Sequence, residues 1–301
     1  MVFAGSQFAS HRFDVDSSGL RLAGWRSGDV GQTLVFVHGF PDTHAVWDPV
    51  VARLTGRFRC LAYDVRGAGA SAPPTDQGGY LVSHLIDDLS RVIADQSPDH
   101  PVHLVGHDWG SVQCWDAVLR ERTHPALTGR IASFTTISGP ALHHVDAYVR
   151  SARRGDRARR RAAVRQLGHS WYAYAFLVPR IPDLVLRASM RRMMRRLDPA
   201  RDSFAETLPT DAVNGLGLYR ANTFHRESVP GGPRTSLPIQ LVVPLRDPFI
   251  TASLVADVPR FASNLTRRDL DAGHWVMQSH PDQLSRCIAD FVTAHPPAGS
   301  D

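Results

Sequence analysis

The stretch Val102-His-Leu-Val-Gly-His-Asp-Trp-Gly-Ser111 sets an acidic side chain, Asp108, between a short apolar run and a helical pattern. That strand–turn–helix context is the one a nucleophile elbow requires, with Asp108 at its apex. Gly106, Gly110 and the small Ser111 let the chain turn tightly against its neighbours. A carboxylate is ionised at neutral pH, so it needs no base for a first attack, unlike a serine hydroxyl. It suits displacement at a saturated carbon, leaving an alkyl ester that water must hydrolyse in a second step. Ordinary esterase or peptidase chemistry is thereby demoted. The bland alternative is a strand–helix turn capped by an aspartate.

The second step needs a base and an acid to orient it. Asp247, in Pro244-Leu-Arg-Asp-Pro-Phe249, follows the apolar run Ile-Gln-Leu-Val-Val at 239–243. His274, in Ala272-Gly-His-Trp275, follows a further run at 265–270. Alone, His274 is one of fifteen histidines; with Asp108 and Asp247 in matching contexts it is the expected base. His38-Gly-Phe-Pro-Asp42 follows the first buried run, so its turn can aim the Phe40 backbone N–H where the Trp109 N–H also points. Two such donors would stabilise the oxyanion formed when water attacks an Asp108 ester. HGxP is a weak signal by itself, and its position after a strand gives it weight.

These residues need a scaffold, and the pattern supplies one. The runs LVFV at 34–37, FRCLAY at 58–63, VHLV at 102–105 and IASFTTI at 131–137 read as buried strands, with helices expected near 81–96 and 112–122. Short apolar strands alternating with helices indicate an α/β fold with a mostly parallel sheet. The pattern resumes with strands at 239–243 and 265–270 and a helix near 281–294. Residues 141–225 lack strand signals and carry helical periodicity, so they read as a lid inserted into a core made of 1–140 and 226–301. The final HPPAGSD segment is linker-like.

HGFPD, DVRGAGAS at 64–71, GHDWG, the post-strand Asp247 and GHW together resemble the α/β-hydrolase superfamily, whose chain order is also nucleophile, acid, histidine. Within it, the set is similar to the epoxide hydrolase and haloalkane dehalogenase branch, over roughly residues 10–294. The resemblance implies an eight-stranded, mostly parallel sheet with a helical cap inserted after the sixth strand. Ser111 departs from it, since glycine or alanine is commoner there; it is still small enough for the elbow. The chain also resembles the hydrolase half of actinobacterial proteins in which an epoxide hydrolase-like domain precedes a short-chain dehydrogenase. No GxGxxG fingerprint occurs here.

The cap separates the two branches. An alkoxide is a far poorer leaving group than a halide, so opening an epoxide needs a proton donor at its oxygen. In epoxide hydrolases two cap tyrosines provide it, and Tyr219 in Gly-Leu-Tyr-Arg-Ala-Asn222 resembles the second. The first is Tyr172 by its spacing to Phe176 and Pro179, or else Tyr174, which two residues on falls on another helical face. The tyrosines could instead simply pack the cap. The expected reaction converts a small-molecule epoxide to a vicinal diol, with no cofactor or metal implied. Its rivals are a haloalkane dehalogenase using Trp109 as a halide donor and a hydrolase-fold ligand binder without turnover.

With 301 residues, 43% hydrophobic and 21% charged, the chain is no disordered, collagen-like or membrane-embedded protein. Its net charge of +5 includes no lysine. Fifteen arginines against three acids between 150 and 201 make that span +12 and the remainder −7, so the positive charge belongs to the lid. Leu186, Met190, Met193 and Leu197 form an apolar stripe there, with Arg187, Arg191 and Arg195 beside it. The plain reading is a packed helix with solvated arginines; the sharper one is a peripheral membrane contact that draws lipid-derived epoxides towards the site. No stacking platform or recognition motif accompanies the charge, which argues against nucleic acid. Three scattered cysteines, no CxxC pair, no signal-peptide pattern at the start and no long apolar run lead to the expectation of a reduced, cytoplasmic chain.

Overall fold

The apolar runs become neighbouring strands because a strand buried on both faces needs no polar alternation. The computed structural model describes residues 10–297; residues 1–9 and the last four of the HPPAGSD tail lie outside the described residues. Eight strands form one sheet: β1 (His11–Ser17), β2 (Leu20–Ser27), β3 (Thr33–Val37), β4 (Arg59–Tyr63), β5 (Val102–His107), β6 (Ile131–Ile137), β7 (Ile239–Pro244) and β8 (Leu265–Leu270). Their order is β1-β2-β4-β3-β5-β6-β7-β8, antiparallel from β1 to β4 and parallel from there on. The α/β class and the mostly parallel eight-stranded sheet are as expected.

The chain runs from β3 outward to β4 and then returns to β5 on the other side of β3. This reversal opens a crevice at the carboxyl ends of β3 and β5, where α/β sheets place their ligands. Helices α1 (Asp48–Leu54), α2 (Val82–Gln96) and α3 (Trp109–Arg120) connect these strands. Five more lie between β6 and β7: α4 (Leu142–Arg154), α5 (Arg157–His169), α6 (Trp171–Ala175), α7 (Ile181–Leu197) and α8 (Leu208–Asn222). Helices α9 (Val276–Ser279) and α10 (Pro281–Ala294) complete the chain.

The hairpin β1–β2 escaped the reading of apolar runs. Its outer strand is half exposed and alternates, and only Val15 and Ser17 are buried in it. The usable signal was Ser18-Gly19, where both residues have positive φ and close a two-residue turn. A second difference concerns α7. It begins at Ile181, and its buried face is Pro182, Leu186, Met190 and Met194, whereas Met193 and Leu197 are exposed. An i+4 step from Met190 stays under the helix; the i+3 step to Met193 swings outward.

The helices between β6 and β7 share a core with the sheet. Leu186, Met190 and Met194 of α7 and Leu208, Ala212 and Leu216 of α8 cluster with Phe36 and Val105 of the central strands. Polar ties register α8 on the loop after β4: Asn214 donates to the Gly67 carbonyl at 2.8 Å, and Asp211 accepts from the Gly69 N–H at 3.1 Å. Between α7 and α8, Arg201 donates to Asp42 at 2.7 Å and to Asp198 at 2.9 Å. Asp42, wholly buried, also accepts from the Trp275 indole at 2.9 Å. Burial opposes the Asp42 charge, but Arg201 outweighs it and holds the carboxyl below the usual range. Removing one partner of such a buried pair strands the other charge. Arg201→Ala is therefore expected to cost about 3–5 kcal/mol, read from urea unfolding midpoints. A loss under about 1 kcal/mol would show that the pair does not clamp these segments.

Candidate active site

Asp108 sits at the junction of β5 and α3, with φ 50° and ψ −125°. An L-residue holds that backbone only when its surroundings over-determine it. Here they do: a side chain on Gly110 would collide with the Val37 carbonyl, and one on Gly39 with the Asp108 side chain itself. Ser111 fits because its hydroxyl bonds the Gly139 carbonyl and Thr136 Oγ1, both at 2.6 Å. The departure from glycine or alanine is thus fully accommodated.

The Phe40 N–H donates to Asp108 Oδ1 at 2.7 Å, and the Trp109 N–H is also bonded to this carboxylate. Both backbone donors therefore converge on Asp108. Its second oxygen, Oδ2, lies 4.0 Å from His274 Nε2. Burial dominates the electrostatics and pushes the Asp108 carboxyl up to about 6, although His274 and the two N–H groups pull the other way.

His274 Nδ1 and Asp247 Oδ2 are 2.9 Å apart, both buried. The other oxygen of Asp247 accepts from the N–H groups of Phe249 at 2.8 Å and Ile250 at 3.1 Å. Burial opposes the charges of both partners, and their attraction overcomes it. Asp247 is held below the ordinary carboxylate value, and the His274 pKa is raised above that of a free imidazole, with Asp108 adding to the effect. Asp247 thus fixes the ring so that Nε2 faces Asp108.

The tyrosines lie opposite. Tyr219, buried in α8, packs edge-on against Phe40 at 5.4 Å and Trp109 at 5.1 Å between ring centroids. Its ring thus lies between the Trp109 indole and Tyr172, whose rings both meet it edge-on. Tyr172, in α6, has its ring 6.0 Å from Tyr219 and 5.3 Å from Phe249. Burial raises both phenols well above the ordinary value, so both keep their protons. Tyr174 is half exposed and points away from this cluster. Arg220, next to Tyr219, grips the end of α6 by donating to the Phe176 carbonyl at 3.0 Å and pairing with Asp183 at 2.6 Å. That clamp sets the two tyrosine-bearing helices against each other.

All seven residues expected at the site, Phe40, Asp108, Trp109, Tyr172, Tyr219, Asp247 and His274, are thus brought together. Others went unnoticed in the sequence. His107, beside the elbow, has Nε2 3.1 Å from the His274 carbonyl, and burial pushes its pKa down to about 3. It therefore stays neutral and ties β5 to the His274 loop. Phe249 packs 4.9 Å from the His274 ring, and Asp42 lies close enough to support that histidine's charge. Adjacency to the nucleophile was the available signal for His107; Asp42 had none without its partner 159 residues away. Among the described residues, no group of three or more His, Cys, Asp or Glu is placed to hold a metal ion.

Comparison with known proteins agrees with this architecture. Residues 32–281 match the family described as alpha/beta hydrolase fold. The chain is 37% identical over 292 residues to the "Probable oxidoreductase EphD" of Mycobacterium tuberculosis, covering 92% of this chain and 49% of that protein. It therefore spans about half the length of those relatives. It is 27% identical to "Epoxide hydrolase A" of the same organism over 93% of this chain and 96% of that one. Among solved structures, an epoxide hydrolase from Bacillus megaterium superposes with a TM-score of 0.77 at 19% identity, covering 93% of this chain and all of that one. The match spans most of the sequence and contains every element of the elbow and its partners, and the chain belongs to the α/β-hydrolase fold family.

Proposed function

We propose that this chain is an epoxide hydrolase that opens a small-molecule epoxide to a vicinal diol through an ester on Asp108. The observation that carries the reading is the pair of protonated phenols, Tyr172 and Tyr219, facing a carboxylate already backed by a histidine–aspartate pair. Oδ1 of Asp108 accepts from the Phe40 N–H and Oδ2 faces His274, so Oδ2 is the attacking atom. It bonds to a ring carbon as the carbon–oxygen bond breaks, and a tyrosine gives its proton to the departing oxygen. The tyrosinate recovers a proton from His274, whose neutral Nε2 then takes one from water as the water oxygen adds to the Asp108 carbonyl carbon. The Phe40 and Trp109 N–H groups receive the resulting oxyanion. Collapse breaks the ester carbon–oxygen bond, and the departing alkoxide takes the intermediate's hydroxyl proton, which frees the diol and restores the carboxylate.

Two phenols stand beside the Trp109 indole and the nucleophile. A halide leaves without a proton donor whereas an epoxide oxygen needs one, so this arrangement favours the epoxide. The hydrolase named among the relatives of similar length supports the same choice. The oxidoreductase name belongs to proteins about twice as long, and the constellation built here is hydrolytic.

Esterification has an electrostatic consequence. It removes the Asp108 charge that helps to keep His274 protonated. The imidazole pKa falls, and the ring becomes a base when the ester needs one.

At a pH well above the Asp108 titration, His274→Ala should still permit the first step and accumulate an adduct on Asp108 whose mass gain equals that of the epoxide, seen by intact-mass spectrometry. Normal turnover without an adduct would refute the mechanism, and bromide release from bromoalkanes with no epoxide turnover would select the dehalogenase. Tyr219→Phe should slow adduct formation by about 10²-fold or more. The adduct-forming step needs ionised Asp108, whose carboxyl titrates at about 6. Its single-turnover rate should fall about tenfold per unit below that pH. A rate that stays flat down to pH 4 would mean that the donors around Asp108 offset its burial and keep the carboxyl ionised there.

A further inference from the structure

Helix α7 carries two apolar faces. One is buried on α8 and the sheet. The other comprises Ile181, Leu184, Val185 and Ala188, spaced at i, i+3, i+4 and i+7, and points to solvent. Ile181 and Leu184 are 64% and 68% exposed, and Trp171 of α6 is 67% exposed. Continued along the helix, the same outward face becomes Arg192, Arg195 and Arg196. The outward face of α5 is similarly basic, with Arg157, Arg160, Arg161 and Arg165 around the exposed Val164. Among the described residues none of these seven arginines has a carboxylate partner. The acids nearest in sequence are occupied elsewhere: Asp183 by Arg220, Asp198 by Arg201, and Asp156 by the α5 backbone.

We propose that the outward face of α7 docks the protein on an anionic lipid bilayer, with Ile181, Leu184 and Val185 entering the interface and Arg192, Arg195 and Arg196 meeting the headgroups. Uncompensated positive charge next to exposed aliphatic side chains is the composition an interfacial surface requires. The alternatives fit the same residues less well. A second copy packed face to face would set arginines against arginines. A nucleic acid would satisfy the charge and leave the aliphatic side chains with nothing apolar to bury against. The surface is separate from the chemistry proposed for Asp108, and the experiment below reads binding alone, so either can fail without the other.

Flotation with vesicles of mixed phosphatidylcholine and phosphatidylglycerol, against pure phosphatidylcholine, tests the proposal. The protein should float with the anionic vesicles only, and less so as salt rises. Combining Arg192→Glu, Arg195→Glu and Arg196→Glu should weaken partitioning about a hundredfold or more. Leu184→Ser with Val185→Ser should weaken it without changing the charge, while circular dichroism and solution turnover stay as in the parent. Failure to float at low salt would overturn the proposal. So would flotation indifferent to Leu184 and Val185, equal binding to a DNA duplex that is equally sensitive to those two residues, or a dimer in light scattering that the same substitutions dissolve.

Discussion

A carboxylate largely withdrawn from water, yet surrounded by groups that favour its charge, is the constraint around which this molecule is arranged. Burial alone drives the Asp108 carboxyl towards its neutral form. What opposes this is local and directional: two backbone N–H groups and an imidazole within ion-pairing reach. Each comes from the end of a different strand. Phe40 follows β3, Trp109 follows β5, and His274 follows β8 while its partner Asp247 follows β7. Parallel strands deliver all these ends to one side of the sheet, and the reversal between β3 and β5 leaves room there. The left-handed backbone at Asp108 is the local cost of that convergence. Packing that admits no side chain at positions 39 and 110 sustains it.

The same balance lets one small set of charges serve two opposed steps. Before alkylation, the negative Asp108 and Asp247 favour protonated His274, which in turn favours ionised Asp108. After alkylation, one of those negative charges is gone. Asp247 still orients the ring through Nδ1, but the field at Nε2 now favours the base. Neutral His107, its ring tilted against His274 with centroids 4.5 Å apart, adds no competing positive charge. In the proposed cycle, the nucleophile's own conversion therefore prepares the group that regenerates it.

Much of this was legible in the sequence because strand burial and loop chemistry are local. Predominantly apolar runs of four to seven residues gave β3 to β7, and a glycine-flanked acid after one of them gave the elbow. Phase along a short helix separated Tyr172 from Tyr174, and the structure keeps that separation. The pairing of cap tyrosines came from family resemblance, since no periodicity ties position 172 to position 219. What was missed lacked a local signature. β1 is an edge strand with little to bury, and Asp42 and Arg201 are meaningful only together. On α7, Met193 and Met194 both lie about one turn from Met190, so periodicity alone did not decide which of them turns inward.

The cap concentrates two demands on one short element. α6 is five residues long, yet it holds Tyr172 against Tyr219 on its inner side and Trp171 and Tyr174 in solvent on its outer side. A helix this short has little stability of its own. Its position is borrowed from Arg220, which holds the Phe176 and Val178 carbonyls, and from Gln166 of α5, which reaches the Phe249 carbonyl beside His274. The proton donor of the proposed reaction is therefore set by polar contacts that run from α5 and α8 into the loop carrying Asp247. Those contacts, more than the intrinsic preference of any helix, decide how far a phenol stands from the oxygen it must protonate.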